Sequence, residues 1–373
     1  MSAEPTPRRH RPRRAWAAGV AVAALAIPGA AYGLSGDNGS APHTQNAETS
    51  ALTATGADFH AFVTAISNNL VVFDTTSGSL LAAVSVPRNS VGSAVLDSPM
   101  GIAATPDGSQ VFVADEGKYN VLAVNPATGA PTDIEVGAFP QDVAVSPDGS
   151  TVYATVTGPE TGPGGPHQLA VISTATDTVT GHINVGNKPR QVVFSPDGSR
   201  AYVTTQQSID VVNTAAGKLV ASVKDTSPGG PQDLAISPDG STVYVTNPVP
   251  GTLTEISTAN NKVKAVIPAG DEPYAVAVSP DGKSVYVTDM NSDSVQVIDT
   301  ATNKTMANVA VEGLPGSIAF TPDGSQLWVG NILQGDISVI DPTTNTVART
   351  VTAGLPAQET IDAAPIGFAF IKA

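Results

Sequence analysis

A Pro-Asp-Gly tripeptide occurs six times in this chain, starting at Pro106, Pro147, Pro196, Pro238, Pro280 and Pro322, with successive spacings of 41, 49, 42, 42 and 42 residues. A fixed period of this length marks a repeat architecture, in which each unit buries its apolar faces only against its neighbours. The period constrains the fold before any local reading begins.

One unit shows what a repeat contains. From Glu272 it alternates short runs rich in Val, Ile, Tyr and Thr (275–279, 284–288, 294–299 and 305–311) with turn residues. β-Branched and aromatic side chains suit a pleated surface, so these runs read as strands, and no run carries a helical stripe. In Pro-Asp-Gly, Pro fixes φ, Asp bonds its own backbone, and Gly takes the positive φ that closes a hairpin. A second turn type, Asp-Thr-Ala-Thr-Asn at 299–303 with variants at 125–129, 173–177 and 341–345, reverses the chain between the third and fourth strands. Four strands, three tight turns and one link take about 40 residues, the size of a propeller blade.

Six complete units run from residue 98 to about residue 352. The segment before them supplies three strands, 60–65, 69–74 and 80–86, with no Pro-Asp-Gly strand ahead of them. The segment 365–371, Pro-Ile-Gly-Phe-Ala-Phe-Ile, matches the missing inner strand. The sequence therefore predicts an all-β, seven-bladed β-propeller of four-stranded antiparallel blades over 57–373. N- and C-terminal strands would share one blade and leave no open edge in the ring.

Tyr244-Val245-Thr246-Asn247, with near copies at 286–289 and 202–205, resembles the signature of the YVTN-repeat β-propeller family, and Val297 to Asn303 resembles its consensus. The resemblance covers roughly residues 57–373. It implies an extracytoplasmic propeller without implying one reaction, because related propellers include lactonase-like proteins, surface-layer proteins and subunits of quinone or haem redox enzymes.

Residues 1–14 hold five arginines and one acid, and 15–34 is apolar and uncharged, ending in small residues. This describes a secretory signal over 1–33, with a weak twin-arginine look at Arg13-Arg14; an uncleaved anchor is the alternative. Residues 34–56, rich in Ser, Gly, Ala, Thr and Asn, read as a flexible linker. A secreted protein, with cell-surface association as an option, is the expected localisation. The chain has no Cys, which removes disulfides, thiolate metal sites, lipoprotein modification and covalent haem attachment. Without residues 1–33 it keeps 13 basic and 32 acidic residues. So acidic a surface repels nucleic acid and anionic headgroups, so no nucleic-acid partner is expected and membrane contact only through an uncleaved anchor. The chain is expected to be monomeric.

Propeller loops sort onto two faces. The Pro-Asp-Gly and Thr-Ala-Thr-Asn turns share a repetitive face. The links into each inner strand and the loops after each second strand form a variable face, where ligand sites are expected near the channel. The residues after each inner-strand proline line this mouth, joined by those that close each second strand. Together they gather Asp115, Asp142, Asp233 and Asp289 around Arg190 and Tyr274. Clustered carboxylates admit a divalent cation, a polyol or a cationic ligand; equally, they are polar because a channel mouth is wet. An insertion at 157–168 in the longest unit brings Glu160 and His167 to the same face, as a lid or as plain surface. The six turn aspartates are read as turn formers, His60 and His182 as structural, and Trp328 as a packing residue.

No Ser-His-Asp order, phosphate loop or paired-His motif is present. The leading expectation is a non-enzymatic scaffold binding a protein, glycan or small ligand, with no cofactor unless a divalent cation. The alternative is a lactonase-like hydrolase, with Asp142, Asp233 and Asp289 holding a metal and Arg190 meeting substrate charge. An accessory redox subunit and a biosynthetic lyase or cyclase are weaker options.

Overall fold

The Val- and Tyr-rich runs fold as strands and the Pro-Asp-Gly and Thr-Ala-Thr-Asn segments as the turns between them. The computed structural model describes residues 59–65, 69–85, 99–129, 131–158, 167–352 and 365–373. The chain divides into Met1–Gln45, wholly outside the described residues, and Asn46–Ala373, which holds the propeller. The expected signal, the linker and Glu160 lie outside the described residues.

Among the described residues, 28 strands form seven four-stranded antiparallel sheets. From inner to outer strand, blade 1 is Pro365–Lys372, Phe59–Ala65, Asn69–Asp74 and Leu80–Ser85. Blade 2 is Pro99–Ala104, Val111–Asp115, Asn120–Val124 and Pro131–Glu135. Blade 3 is Phe139–Val145, Thr151–Thr157, Gln168–Ser173 and Thr178–Asn184. Blade 4 is Val192–Phe194, Arg200–Thr204, Ser208–Asn213 and Lys218–Lys224. Blade 5 is Leu234–Ile236, Thr242–Asn247, Thr252–Ser257 and Lys262–Pro268. Blade 6 is Pro273–Val278, Ser284–Asp289, Ser294–Asp299 and Lys304–Ala310. Blade 7 is Pro315–Phe320, Leu327–Asn331, Asp336–Asp341 and Thr346–Thr352.

Blade 1 closes the ring as the sequence requires: Phe62 pairs with Ala369 and His60 with Ile371. Inner strands touch in ring order, and that of blade 7 meets that of blade 1. At this junction Trp328 is fully buried, with Phe73, Phe368 and Phe370 around it at ring-centroid distances of 6.3, 6.2 and 5.8 Å. The expected packing role is met. The strand predicted at 275–279 begins two residues earlier, because Pro273 pairs with Asp289 across a register shift. The same shift recurs at the mouth end of the inner strands of blades 2, 3 and 7.

Threonine hydroxyls take over where these ladders break. In blade 5, Asp233 N donates to Thr246 Oγ1 (3.1 Å), and that hydroxyl donates to Tyr274 O of blade 6 (2.7 Å). Thr155 links Asp142 N to Arg190 O, and Thr204 links Gln191 N to Gln232 O, in the same way. Thr64 reaches Met100 O. Blade 7 has Gly330 at the threonine position; there Ser317 Oγ donates to Pro365 O (3.1 Å), and a Cβ on Gly330 would lie 2.4 Å from that hydroxyl. A buried backbone group without a partner is costly, so each hydroxyl secures both its own blade and the next.

On the repetitive face, every Pro-Asp-Gly glycine has φ between 68° and 74°. A Cβ on Gly149, Gly198, Gly240, Gly282 or Gly324 would meet the proline of the preceding blade's turn; on Gly108 it would meet Ile371. The turns therefore stack around the ring. Thr174, Thr214, Thr258 and Thr300 each donate to the glycine carbonyl of their own blade, which puts both turn families on one face. Asp177, Asn261, Asn303 and Asn345 take positive φ in the second turn.

Two outcomes follow. A chain truncated before Pro365 should lose the cooperative denaturant transition of the full protein, followed by the fluorescence of Trp328. Thr246→Val, which keeps the shape but strands two backbone groups, should cost about 1–3 kcal/mol in the same titration; an unchanged midpoint would remove the hydroxyl tie from the account.

Candidate functional site: the channel mouth

The mouth is built from the residues just before each inner strand straightens, so its chemistry is decided by what the register shift frees. Among the described residues, its carboxylates are drawn into the scaffold. Asp142 is buried, and its Oδ2 accepts Val192 N of blade 4 at 2.9 Å. The Gln191 amide, with its nitrogen toward the carboxylate, donates to the same oxygen at 2.6 Å. A Cβ on Gly101 would fall 2.0 Å from Asp142 Oδ1, so the glycine of blade 2 makes room for this carboxyl. Asp233 repeats the device: Oδ2 accepts Val276 N of blade 6 at 2.8 Å and Oδ1 accepts Leu234 N at 2.7 Å.

Asp289 and Asp115 serve the loops. Asp289 is buried and accepts Asp271 N and Glu272 N at 3.0 and 3.2 Å, fixing the link into blade 6. Asp115 is buried with Lys118 Nζ 3.9 Å from Oδ2. His167 stands at the foot of the insertion, half-buried, where Nδ1 accepts Lys188 N at 3.4 Å. Among the described residues no group of three or more His, Asp or Glu is placed to hold a metal. The expected carboxylate cluster is thus distributed over several seams, and the residues do not fit a common cation site.

Arg190 is different. It is half-buried; Nη1 donates to Pro231 O at 3.1 Å and to Gln232 Oε1 at 3.0 Å, while Nε and Nη2 make no bond among the described residues. Tyr274 is close enough for their charges to interact, and Asp233 lies beside Tyr274. Burial lowers the Arg190 pKa and pushes the Tyr274 phenol up to about 12, so the mouth presents a cation and a neutral phenol. Gln232 and Glu116, which accepts from Gln141 Nε2 at 3.0 Å, complete the polar set. Glu116 was not readable as a mouth residue because it sits in a turn whose path depends on the blade around it. Two clefts of about 230 and 330 Å³ lie on the repetitive face instead, between neighbouring Pro-Asp-Gly turns; Lys264 and Tyr244 line the larger.

A family model described as "Lactonase, 7-bladed beta-propeller" matches residues 167–303, which include Arg190, Asp233, Tyr274 and Asp289. No curated protein matches the chain significantly. Hydrazine synthase of Kuenenia stuttgartiensis is similar in structure, with TM-score 0.65 and 23% identity over 74% of this chain and 89% of that one. A functionally unknown protein from Desulfotomaculum acetoxidans DSM 771 has TM-score 0.68 and 15% identity, over 85% of this chain and 99% of that one. At these identities the solved structures show a shared propeller fold.

Burial, helped by the charge of Asp233, pushes the Asp142 carboxyl up to about 8, and burial pushes Asp233 up to about 7. Both hold a proton more tightly folded than unfolded. Their contribution to stability is therefore complete below about pH 4 and is withdrawn as pH rises through 7 to 8. The exposed turn carboxyls Asp107, Asp197 and Asp281 are lowered to about 2, chiefly by side-chain hydrogen bonds, and act oppositely: their contribution is lost as pH falls toward 2. Urea midpoints should peak in mildly acid solution, and Asp142→Asn should flatten the fall toward pH 8. An identical alkaline slope in that variant would contradict the assignment.

Proposed function

We propose that the protein is an exported β-propeller acting as a binding scaffold, and that it holds a ligand through an anionic group at the Arg190 sector of the channel mouth. The observation that carries this reading is the partly engaged guanidinium. One nitrogen is anchored to blade 5, and the remaining donors keep the planar fork that suits a carboxylate or phosphate. Tyr274 adds a neutral hydroxyl and an aromatic edge. Asp142 and Asp233 are spent on backbone amides, so they brace the platform rather than compete for the cation. The arginine-rich start and apolar stretch that follows support export. A sugar acid, a phosphorylated small molecule, or the acidic end of a glycan or protein fits this site.

A second reading, lactonase-like hydrolysis, is favoured by the family-model match, whose span covers the same sector. Here the two carboxyls, poised near neutrality, would manage protons while Arg190 faced the oxygen that gains charge as a lactone opens.

Calorimetry of the full chain against sugar acids and sugar phosphates, run beside an acid-release assay on sugar lactones, separates the two. The scaffold reading expects binding without turnover, weakened roughly ten- to a hundredfold by Arg190→Gln. Lactone opening lost in Asp233→Asn, with and without chelator, would establish the hydrolase. Neither binding nor turnover would remove the mouth as a functional site.

A further inference from the structure

The outer strands carry a charge pattern opposite to that of the chain. The chain has 33 acidic residues, yet the outer strands of blades 3 to 7 contain no Asp or Glu. Those of blades 4, 5 and 6 hold five lysines: Lys218, Lys224, Lys262, Lys264 and Lys304. By contrast, the outer strand of blade 2 carries Asp133 and Glu135.

Three of these lysines are equivalent. Lys218, Lys262 and Lys304 each open an outer strand, paired with Asn213, Ser257 and Asp299 in turn. They form a row that repeats once per blade around the rim. All three are exposed and none makes an ion pair among the described residues. Asp299, beside Lys304, turns its carboxylate into its own turn, where it accepts Thr302 N and Oγ1. Lys264 is partly engaged by Thr242 Oγ1 (3.0 Å) and by Glu255 (3.9 Å).

Apolar side chains are exposed between these cations: Leu219 and Val220 in blade 4, Val263 and Val266 in blade 5, and Met306 in blade 6. A bulge sits at the same point of the outer strand in all three blades, just after these lysines. Bulged edges pair poorly with a further strand, which argues against an added β-strand as occupant. The rim is also convex, each blade turning a seventh of a circle from the last. A flat lipid surface meets one blade of such a rim at a time, whereas a flexible chain follows it. A row of cations recurring once per blade, with aliphatic surface between, matches a polymer that repeats an anion on a ring with C–H faces.

We propose that the outer rim of blades 4 to 6 docks an acidic polysaccharide, whose repeated anionic groups pair with Lys218, Lys262 and Lys304 in succession. This surface is separate from the channel mouth and does not rest on the ligand proposed there. Each contact is weak alone, and binding comes from several made together.

The test uses the full chain on immobilised polygalacturonate at low ionic strength, with neutral dextran and phosphatidylglycerol vesicles as comparisons. The expected result is retention on polygalacturonate alone, with affinity falling against salt with a log–log slope of about two to three. The triple variant Lys218→Gln, Lys262→Gln, Lys304→Gln should bind about tenfold more weakly or worse. Its melting midpoint, unchanged from the parent, excludes misfolding. The triple variant Lys188→Gln, Lys283→Gln, Lys372→Gln, which removes the same charge elsewhere, should bind as the parent does. No retention of the parent, equal loss in both triple variants, or tighter binding to the vesicles would overturn the proposal. Loss in Arg190→Gln with the rim variant unaffected would place the polymer at the mouth and overturn it equally.

Discussion

The hydroxyl that crosses from one blade to the next holds the mouth of this propeller together. Each inner strand loses its regular ladder where it reaches the variable face, and a broken ladder inside a ring leaves amides and carbonyls with no water to turn to. Thr155, Thr204 and Thr246 answer this by accepting from their own blade and donating to the next. Asp142 and Asp233 add a second tie at alternate seams, each capping an amide of the following blade. The spacing of Arg190, Gln232 and Tyr274 at the mouth is inherited from this frame. Their backbone carbonyls are themselves the acceptors.

At the other end of the channel the constraint is steric. Proline of one turn rests on glycine of the next, and the series is interrupted only in blade 1, where Ile371 replaces the missing turn. The aromatic cluster around Trp328 fills the other seam of blade 1, against blade 7, from within. Closure is thus sealed by apolar packing where the repeat itself is irregular, and by repeated polar ties where it is regular.

The fold was legible because periodicity and turn chemistry point the same way: the positive φ needed at Gly149 or Asn303 is written in the residue itself. The site was legible only in outline. Asp142 and Asp233 stand out in the sequence as carboxylates beside inner-strand prolines, but a carboxylate that caps a neighbour's amide looks the same in sequence as one awaiting a ligand. Only the register shift between Pro140 and Asp142, invisible in the sequence, turns it into the scaffold. Gly101 shows the limit from the other side, since its value lies in space left for a residue 41 positions away. Arg190 was named as the single cation of the ring, and its partly free guanidinium could be found only in three dimensions. The acid-free outer strands, by contrast, were present in the sequence and were hidden by the net charge.

Blade 1 draws its inner strand from Pro365–Lys372 and its other three strands from a stretch some three hundred residues earlier. During synthesis, blades 2 to 7 can zip in the order in which they emerge, but Phe59–Ala65 must wait with one edge bare until Pro365–Lys372 has been made. The slowest contact to form is therefore the one of greatest sequence separation. Until that contact forms the ring stays open, which leaves a long interval in which a chaperone can hold the nascent sheet still unlatched.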